Sequence, residues 1–296
     1  MKLRNIATLI AGATATLCLM SATGQQANAG TIYKDWNYGI DAFNDGSGGS
    51  GYEIKGMAIR ETSDSIFVAL TGGTPLTGTY ASGAADKNIG WGDLFFNFTD
   101  QTFKAASDTN SLFGIRFAGT NDSMASSTGV YKNVQATTVT GANQGYSTLK
   151  QYYDYGWNRE NTQGTDIATK ADAYAYLGQG SILNVIGSGT KVGDITMLTA
   201  SALSAAGLDF SHFLASGEQT IGFQLNKSLL GFGDYVANIF LECGNDGVAV
   251  AGAILPPAPA PHEVPEPTGT AGMALVALAF VGSQLHKRFQ EKVTLE

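Results

Sequence analysis

Two carboxylates are the residues whose types best suit chemistry in this chain. They are Asp93, in Trp91-Gly92-Asp93, and Glu242, just ahead of Cys243-Gly244. Glycoside hydrolysis needs such a pair, one acid to protonate the leaving oxygen and one carboxylate to attack or to activate water. An Asp after Gly at a strand start commonly closes a turn, and Glu242 can pair or face solvent, so a structural role ranks ahead of catalysis. A Ser-His-acid triad would have to use His212, the single histidine between Gly30 and Leu255, which reads as a surface or packed residue ahead of a general base. Ser188 sits between Gly187 and Gly189, but Ile186 and Thr190 occupy the positions where a G-x-S-x-G elbow needs glycine. Cys243 and His212 cannot furnish the usual ligand set of zinc. The glycine-rich stretch from Gly46 to Gly51 has neither the lysine nor the helix of a phosphate loop.

Calcium is the better metal candidate, since it takes about six to eight oxygen ligands. Oxygen-rich segments run from Asp41 to Asp45 and recur at Asn121-Asp122 and Asn245-Asp246. Asp41, Asp45, Asp122 and Asp246 are therefore the candidate ligands. Phe43 spoils any EF-hand pattern starting at Asp41. The same residue types make turns, and turn formation ranks first; no other cofactor is expected.

A third group is the run Tyr152-Tyr153-Asp154-Tyr155-Gly156-Trp157. Consecutive aromatics cannot all face one core, so some rings should be exposed. Tyr152, Tyr153, Tyr155 and Trp157 are thus candidate platforms for stacking on sugar rings. The plainer reading, a loop folded over the domain with its rings packed, ranks slightly ahead.

The elements that must position these groups are mostly strands. Tyr52 to Leu70 reads as a hairpin turning at Glu61-Thr62-Ser63-Asp64. Leu94 to Phe98, Ser111 to Ala118, Gly129 to Thr140, Thr220 to Leu225 and Tyr235 to Glu242 read as further strands. Thr165 can cap a helix from Asp166 to Leu177 that ends at Gly178, and a shorter helix spans Thr199 to Ala206 before Gly207. The predicted fold is mainly β: one β-sandwich or jelly-roll-like domain over residues 30–254 with one or two short helices.

Charged residues make up 14% of the chain, below the roughly 25% of ordinary soluble domains. Glycines number 38, while hydrophobic residues still reach 44%, enough for a packed core. The two ends, residues 1–29 and 268–296, hold five of the 17 cations and two of the 25 carboxylates. That leaves 12 against 23, a net charge of −11 between them. Such a surface excludes nucleic acid as a partner, because phosphate binding needs concentrated Lys and Arg.

The ends speak of address. Lys2 and Arg4 precede an apolar stretch, and Ala27-Asn28-Ala29 then forms a small-x-small cleavage site with Gly30 as the new N-terminus. Signal peptidase is the implied partner, and Cys18 leaves with the signal. Residues 255–267 hold six of the seven prolines and read as an extended linker. An apolar run from Gly269 to Leu285 is just long enough to span a bilayer, with Lys287 and Arg288 as the cytoplasmic stop.

Val264-Pro265-Glu266-Pro267, followed by a weak span and a basic end, resembles the PEP-CTERM sorting signal. The resemblance implies recognition and processing of the 268–296 tail by an exosortase, after transient anchoring in the inner membrane. The blocks Tyr52-Glu53-Ile54, Trp91-Gly92-Asp93-Leu94-Phe95-Phe96-Asn97-Phe98, Gly114-Ile115-Arg116-Phe117-Ala118 and Glu242-Cys243-Gly244-Asn245-Asp246 make the body similar to cyanobacterial exosortase-dependent surface proteins. It implies a cell-surface or extracellular-matrix location and no catalytic residues. The expectation is an exported, non-enzymatic protein with a structural or adhesive role. The alternative is a lectin-like module that binds exopolysaccharide.

Overall fold

The computed structural model describes residues 30–42, 49–156, 167 and 169–256. The expected signal segment, Asp45, Trp157, the Thr165 cap, and the tail with Val264–Pro267, Lys287 and Arg288 lie outside the described residues. Among the described residues, no helix is long and apolar enough to cross a membrane.

The chain is mainly β. The first sheet has the order β1 (Thr31–Tyr33), β2 (Trp36–Ile40), β3 (Ile54–Glu61), β4 (Ser65–Gly72), then two strands from much later in the chain. A minor hairpin follows, β5 (Thr79–Tyr80) with β6 (Asn88–Ile89). The second sheet begins with β7 (Leu94–Asn97), β8 (Leu112–Arg116), β9 (Gly129–Thr137) and β10 (Val185–Gly193). Then β11 (Thr196–Leu198) and β12 (Gln219–Asn226) return to the first sheet, where β12 lies beside β4. Finally β13 (Gly233–Phe240) and β14 (Gly247–Ile254) complete the second sheet beside β7.

Alternation in the sequence explains which faces meet. Ile66, Val68 and Leu70 on β4 point the same way as Ile221, Phe223 and Leu225 on β12, and all six are buried. They share one core cluster with Leu94, Phe96, Ile115, Val130, Ala237 and Ile239 of the other sheet. Burying each large side chain of this kind contributes about 1.5–3 kcal/mol, so the faces have a strong reason to close on one another.

Each sheet also carries apolar residues on its outer face, and helices cover them. On the first sheet, Trp36, Tyr38 and Ile40 pack with Leu203 and Phe210, from α4 (Ala200–Ala205) and the single turn at Phe210–Phe213. On the second, Phe95, Phe240 and Ala249 pack with Phe103, Leu149, Tyr152 and Tyr176. Those come from α1 (Phe103–Asp108), the helical turn α2 (Leu149–Gln151), a π-helical turn at Tyr152–Gly156, and α3 (Lys170–Leu177).

The helical content exceeds the expected one or two short helices. Thr102, which accepts from the Ala105 amide, nucleates α1, a helix too short to show a period in the sequence. α3 starts later than the expected Asp166, because Thr169, extended at φ −141°, caps it by accepting from the Asp172 amide, and Ile167 is not helical. The shorter helix is as expected, with Thr199 capping α4 and Gly207 beyond it at φ 87°.

β14 approaches β2 closely because β2 has glycine where they meet. A Cβ on Gly39 would stand 2.7 Å from the Ala249 carbonyl oxygen and 3.0 Å from Val250 Cβ. We predict that Gly39→Val destabilises the fold by about 1–3 kcal/mol through this overlap. Gly51→Ala, with nothing within 4 Å of the added carbon, should stay within about 0.5 kcal/mol of the parent. Urea denaturation of both variants checks the difference.

Candidate functional site

The candidate carboxylates meet in one polar knot where the strand-joining loops converge. Gly92 lets the chain in: a Cβ there would sit 2.2 Å from the Asn184 carbonyl oxygen and 2.7 Å from that of Phe240. Its own amide donates to Phe240 (2.9 Å), and the Asp93 amide donates to Asn184 (2.9 Å). Asp93 is fully buried. Its Oδ1 accepts from Asn121 Nδ2 (2.9 Å), and its Oδ2 from Ser123 Oγ (2.5 Å) and the Ile186 amide (2.7 Å). Arg116 holds Asn121 in place, donating from Nε to Asn121 Oδ1 (2.9 Å) and from its guanidinium to the Asn121 carbonyl (2.9 Å).

Glu242 is equally enclosed, at 1% exposure. Its Oε2 accepts from the Gly90 amide (2.7 Å) and its Oε1 from the Asp122 amide (2.5 Å). Adjacent residues, Asn121 and Asp122, thus serve the two carboxylates. Asn184 closes the knot from a third side. Its Nδ2 donates to the carbonyls of Leu241 (3.0 Å) and Glu242 (2.7 Å), while its Oδ1 accepts from the Val139 amide (3.0 Å).

Burial pushes the Asp93 carboxyl above its ordinary range, against the pull of its donors and of Arg116. Burial raises Glu242 to about 7, with the charges of Asp122 and Asp86 adding to it and the Asp122 and Gly90 amides opposing it. Every oxygen of the pair accepts a hydrogen bond from the chain, and neither side chain reaches solvent. In this arrangement the two acids fasten loops together; a sugar ring between them would have to displace those loops.

The described calcium candidates have separate partners. Asp122 Oδ2 accepts from Asn143 Nδ2 (2.9 Å) at the edge of the knot. Asp246 ties the two sheets: its Oδ2 accepts from the β3 amide of Ile54 (2.6 Å) and its Oδ1 from the Gly247 amide (2.8 Å). Asp41, buried just after β2, accepts from the Ala42 amide (2.9 Å). Among the described residues, no three His, Cys, Asp or Glu side chains gather to hold a metal. Cys243 is buried in the inner core, which raises its thiol to about 12. His212 stacks flat on Tyr33, 3.8 Å between ring centres.

Of the aromatic run, the described rings of Tyr152, Tyr153 and Tyr155 are buried, half-buried and exposed in turn. The π-helical turn sends successive rings in different directions. Tyr152 is buried against Tyr146 (5.9 Å between centres) and Tyr153 (5.2 Å). Tyr153 is half-buried, packed edge-on to Tyr174 (5.4 Å), with Lys170 Nζ 5.5 Å above its ring. Tyr155 does stand out, 80% exposed.

Beneath Tyr152 and Tyr153 lies a pocket that sequence reading misses. Asp41, Leu177, Asn238 and Phe240 also line it, and its volume is about 30 Å³. Asn238 is 1% exposed, yet among the described residues neither its Oδ1 nor its Nδ2 has a hydrogen-bond partner. The available signal was an amide at a face position of β13 between Val236 and Phe240, where the pattern calls for an apolar residue. Comparison with protein-family models, with curated proteins and with solved structures finds no match for this chain.

The raised Glu242 carboxyl makes stability depend on pH with a definite sign. Between about pH 4.5, the ordinary value, and about 7, the folded chain keeps a proton that the unfolded chain has released. Stability from this group is therefore fully present below that window and falls as pH rises through it, by up to about 1.4 kcal/mol per pH unit. Asp93 shifts in the same direction. Glu242→Gln should remove one proton's worth of this slope, measured by denaturant unfolding at a series of pH values.

Proposed function

We propose that this chain is an exported, exosortase-sorted surface or extracellular-matrix protein with a structural or adhesive, non-enzymatic role. The observation that carries the reading is Val264-Pro265-Glu266-Pro267, set between a proline-rich stretch and an apolar run that ends in Lys287 and Arg288. Signal peptidase acts at Ala29-Gly30, and exosortase then acts on the tail. The described body supports this division. β1 starts at Thr31, just after the expected cleavage point, and β14 ends at Ile254, at the start of the proline-rich stretch.

We read the architecture as a β-sandwich, with two sequential meanders, β1–β4 and β7–β10, in place of a jelly-roll's interleaved order. A body whose carboxylates are consumed in holding its loops suits a passive scaffold. The exposed ring of Tyr155, beside half-buried Tyr153, favours a second reading, in which the body also retains exopolysaccharide.

The test of sorting is the C-terminal mass of the protein recovered from its host, fraction by fraction. The expected result is a species ending near Pro267 outside the inner membrane. Intact protein through Glu296, confined to the inner membrane, would replace sorting with a simple anchor.

A further inference from the structure

We propose that the amino group freed at Gly30 by signal cleavage swings inward onto Asn37 Oδ1 and the Tyr38 carbonyl, locking β1 against β2 and stabilising the mature domain over its precursor. The proposal rests on the reading above that signal peptidase cuts at Ala29-Gly30, and gives the new terminus a task in the fold.

Asn37 lies on β2 between Ile32 of β1 and Ile59 of β3, on the face opposite Trp36 and Tyr38. Its Nδ2 donates to the Ala251 carbonyl of β14 (2.8 Å), which fixes the orientation of the amide and leaves Oδ1 at the other end. That oxygen is buried and, among the described residues, accepts no hydrogen bond. A buried acceptor with no donor is costly.

Gly30 stands against the same oxygen. A Cβ on Gly30 would lie 2.2 Å from Asn37 Oδ1 and 2.7 Å from the Tyr38 carbonyl oxygen, with Val250 Cγ2 2.6 Å away. No side chain fits there, but the residue's own nitrogen can. Rotation about the Cα–C bond of Gly30 by about a third of a turn carries the nitrogen to the Cβ position, because both are substituents of one tetrahedral carbon. A smaller rotation stops at hydrogen-bonding distance from Oδ1. No free guest has to enter the fold, since the donor is one bond from a carbon already in place.

Cleavage is what releases that nitrogen. Before processing it carries Ala29, and the same swing would drive that residue between Asn37 and Val250. Hydrolysis breaks the Ala29–Gly30 C–N bond: the oxygen of water joins the Ala29 carboxylate, and its two hydrogens make the Gly30 nitrogen an ammonium. An ammonium offers three donors and a charge where the amide had one donor, and charge-assisted bonds are the stronger kind.

Few other charges bear on the site. β14 has no titratable side chain, and β2 has only Tyr38, whose hydroxyl accepts from the Asp209 amide (2.8 Å) on the outer face. On β1, Tyr33 turns outward onto His212. β13 brings Tyr235 beside Asn37, its phenol pushed up by burial and therefore neutral. Glu61 on β3 is taken up by Lys227 and the Leu255 amide. Capture of the charged form holds the folded amine's pKa above the ordinary α-amino value of about 7.7–8.0. Its stabilisation is therefore full below that range and is lost as pH rises through the folded value.

The experiment exports the full precursor from its own host as wild type and with one alanine inserted between Ala29 and Gly30, which moves the amine about 3.8 Å away. Intact mass should place the two termini at Gly30 and at the inserted alanine. At about pH 7 wild type should melt about 3 °C or more above the variant, and the gap should close as pH rises to about 10. In wild type alone, acetic anhydride at about pH 8 should label the Gly30 amine about tenfold more slowly in the folded protein than in urea, one pKa unit's worth of protonation. Equal melting at every pH, a gap that persists at about pH 10, or equal labelling overturns the capture. A wild-type terminus anywhere but Gly30 sinks the cleavage reading itself, and the inference with it.

Discussion

A carboxylate taken out of water has to be met by donors, and the loops around Asp93 and Glu242 are built to meet two of them. Gly90, Asn121, Asp122, Ser123 and Ile186 each supply a hydrogen. Those residues come from the approach to β7, from the segment between β8 and β9, and from β10. The loops are consequently held by the carboxyl groups they enclose. Removing one partner would strand the rest in a low-dielectric setting, where unmet polar groups are most costly. Asp246 extends the same logic between sheets, since it reaches from the β13–β14 turn to the β3 backbone.

Around that knot, the two sheets need different partners on their two faces. The inner faces satisfy one another through aliphatic and aromatic side chains. The outer faces are apolar as well, and short helices close them, each started by a threonine that caps its first turn. These helices are too short to be stable alone; the sheet beneath gives each its reason to form. The pocket with Asn238 lies within one such cover, where a helical turn and a strand meet without filling the space between them.

Much of the β framework was legible in the sequence. The hairpin of β3 and β4, the strands around Phe95, Ile115 and Val134, and β12 and β13 all follow alternation or apolar runs. β2 has the alternation in Trp36, Tyr38 and Ile40, but asparagine and glycine at its other positions mask it. β14, with valines spaced among alanine and glycine, carries too little side chain to announce itself. The knot was half legible: Asp93, Asp122, Glu242 and Asp246 stood out as separate chemical candidates. Their common purpose was hidden, because Asn121, Ser123 and Asn184 are ordinary loop residues until the fold brings them together.

By itself, the sequence determined the β class, the acidic balance of the chain between its two ends, and the single histidine between Gly30 and Leu255, and the proposed sorting of the two ends rests on it alone. Those properties depend on composition, periodicity and order along the chain. Which face each tyrosine turns to, which carboxylates are buried, and which amide is left unpaired were decided by tertiary structure. Burial and hydrogen bonding depend on what arrives from distant parts of the chain: Glu242 is met by Gly90 and Asp122, more than a hundred residues away. No local pattern encodes that meeting.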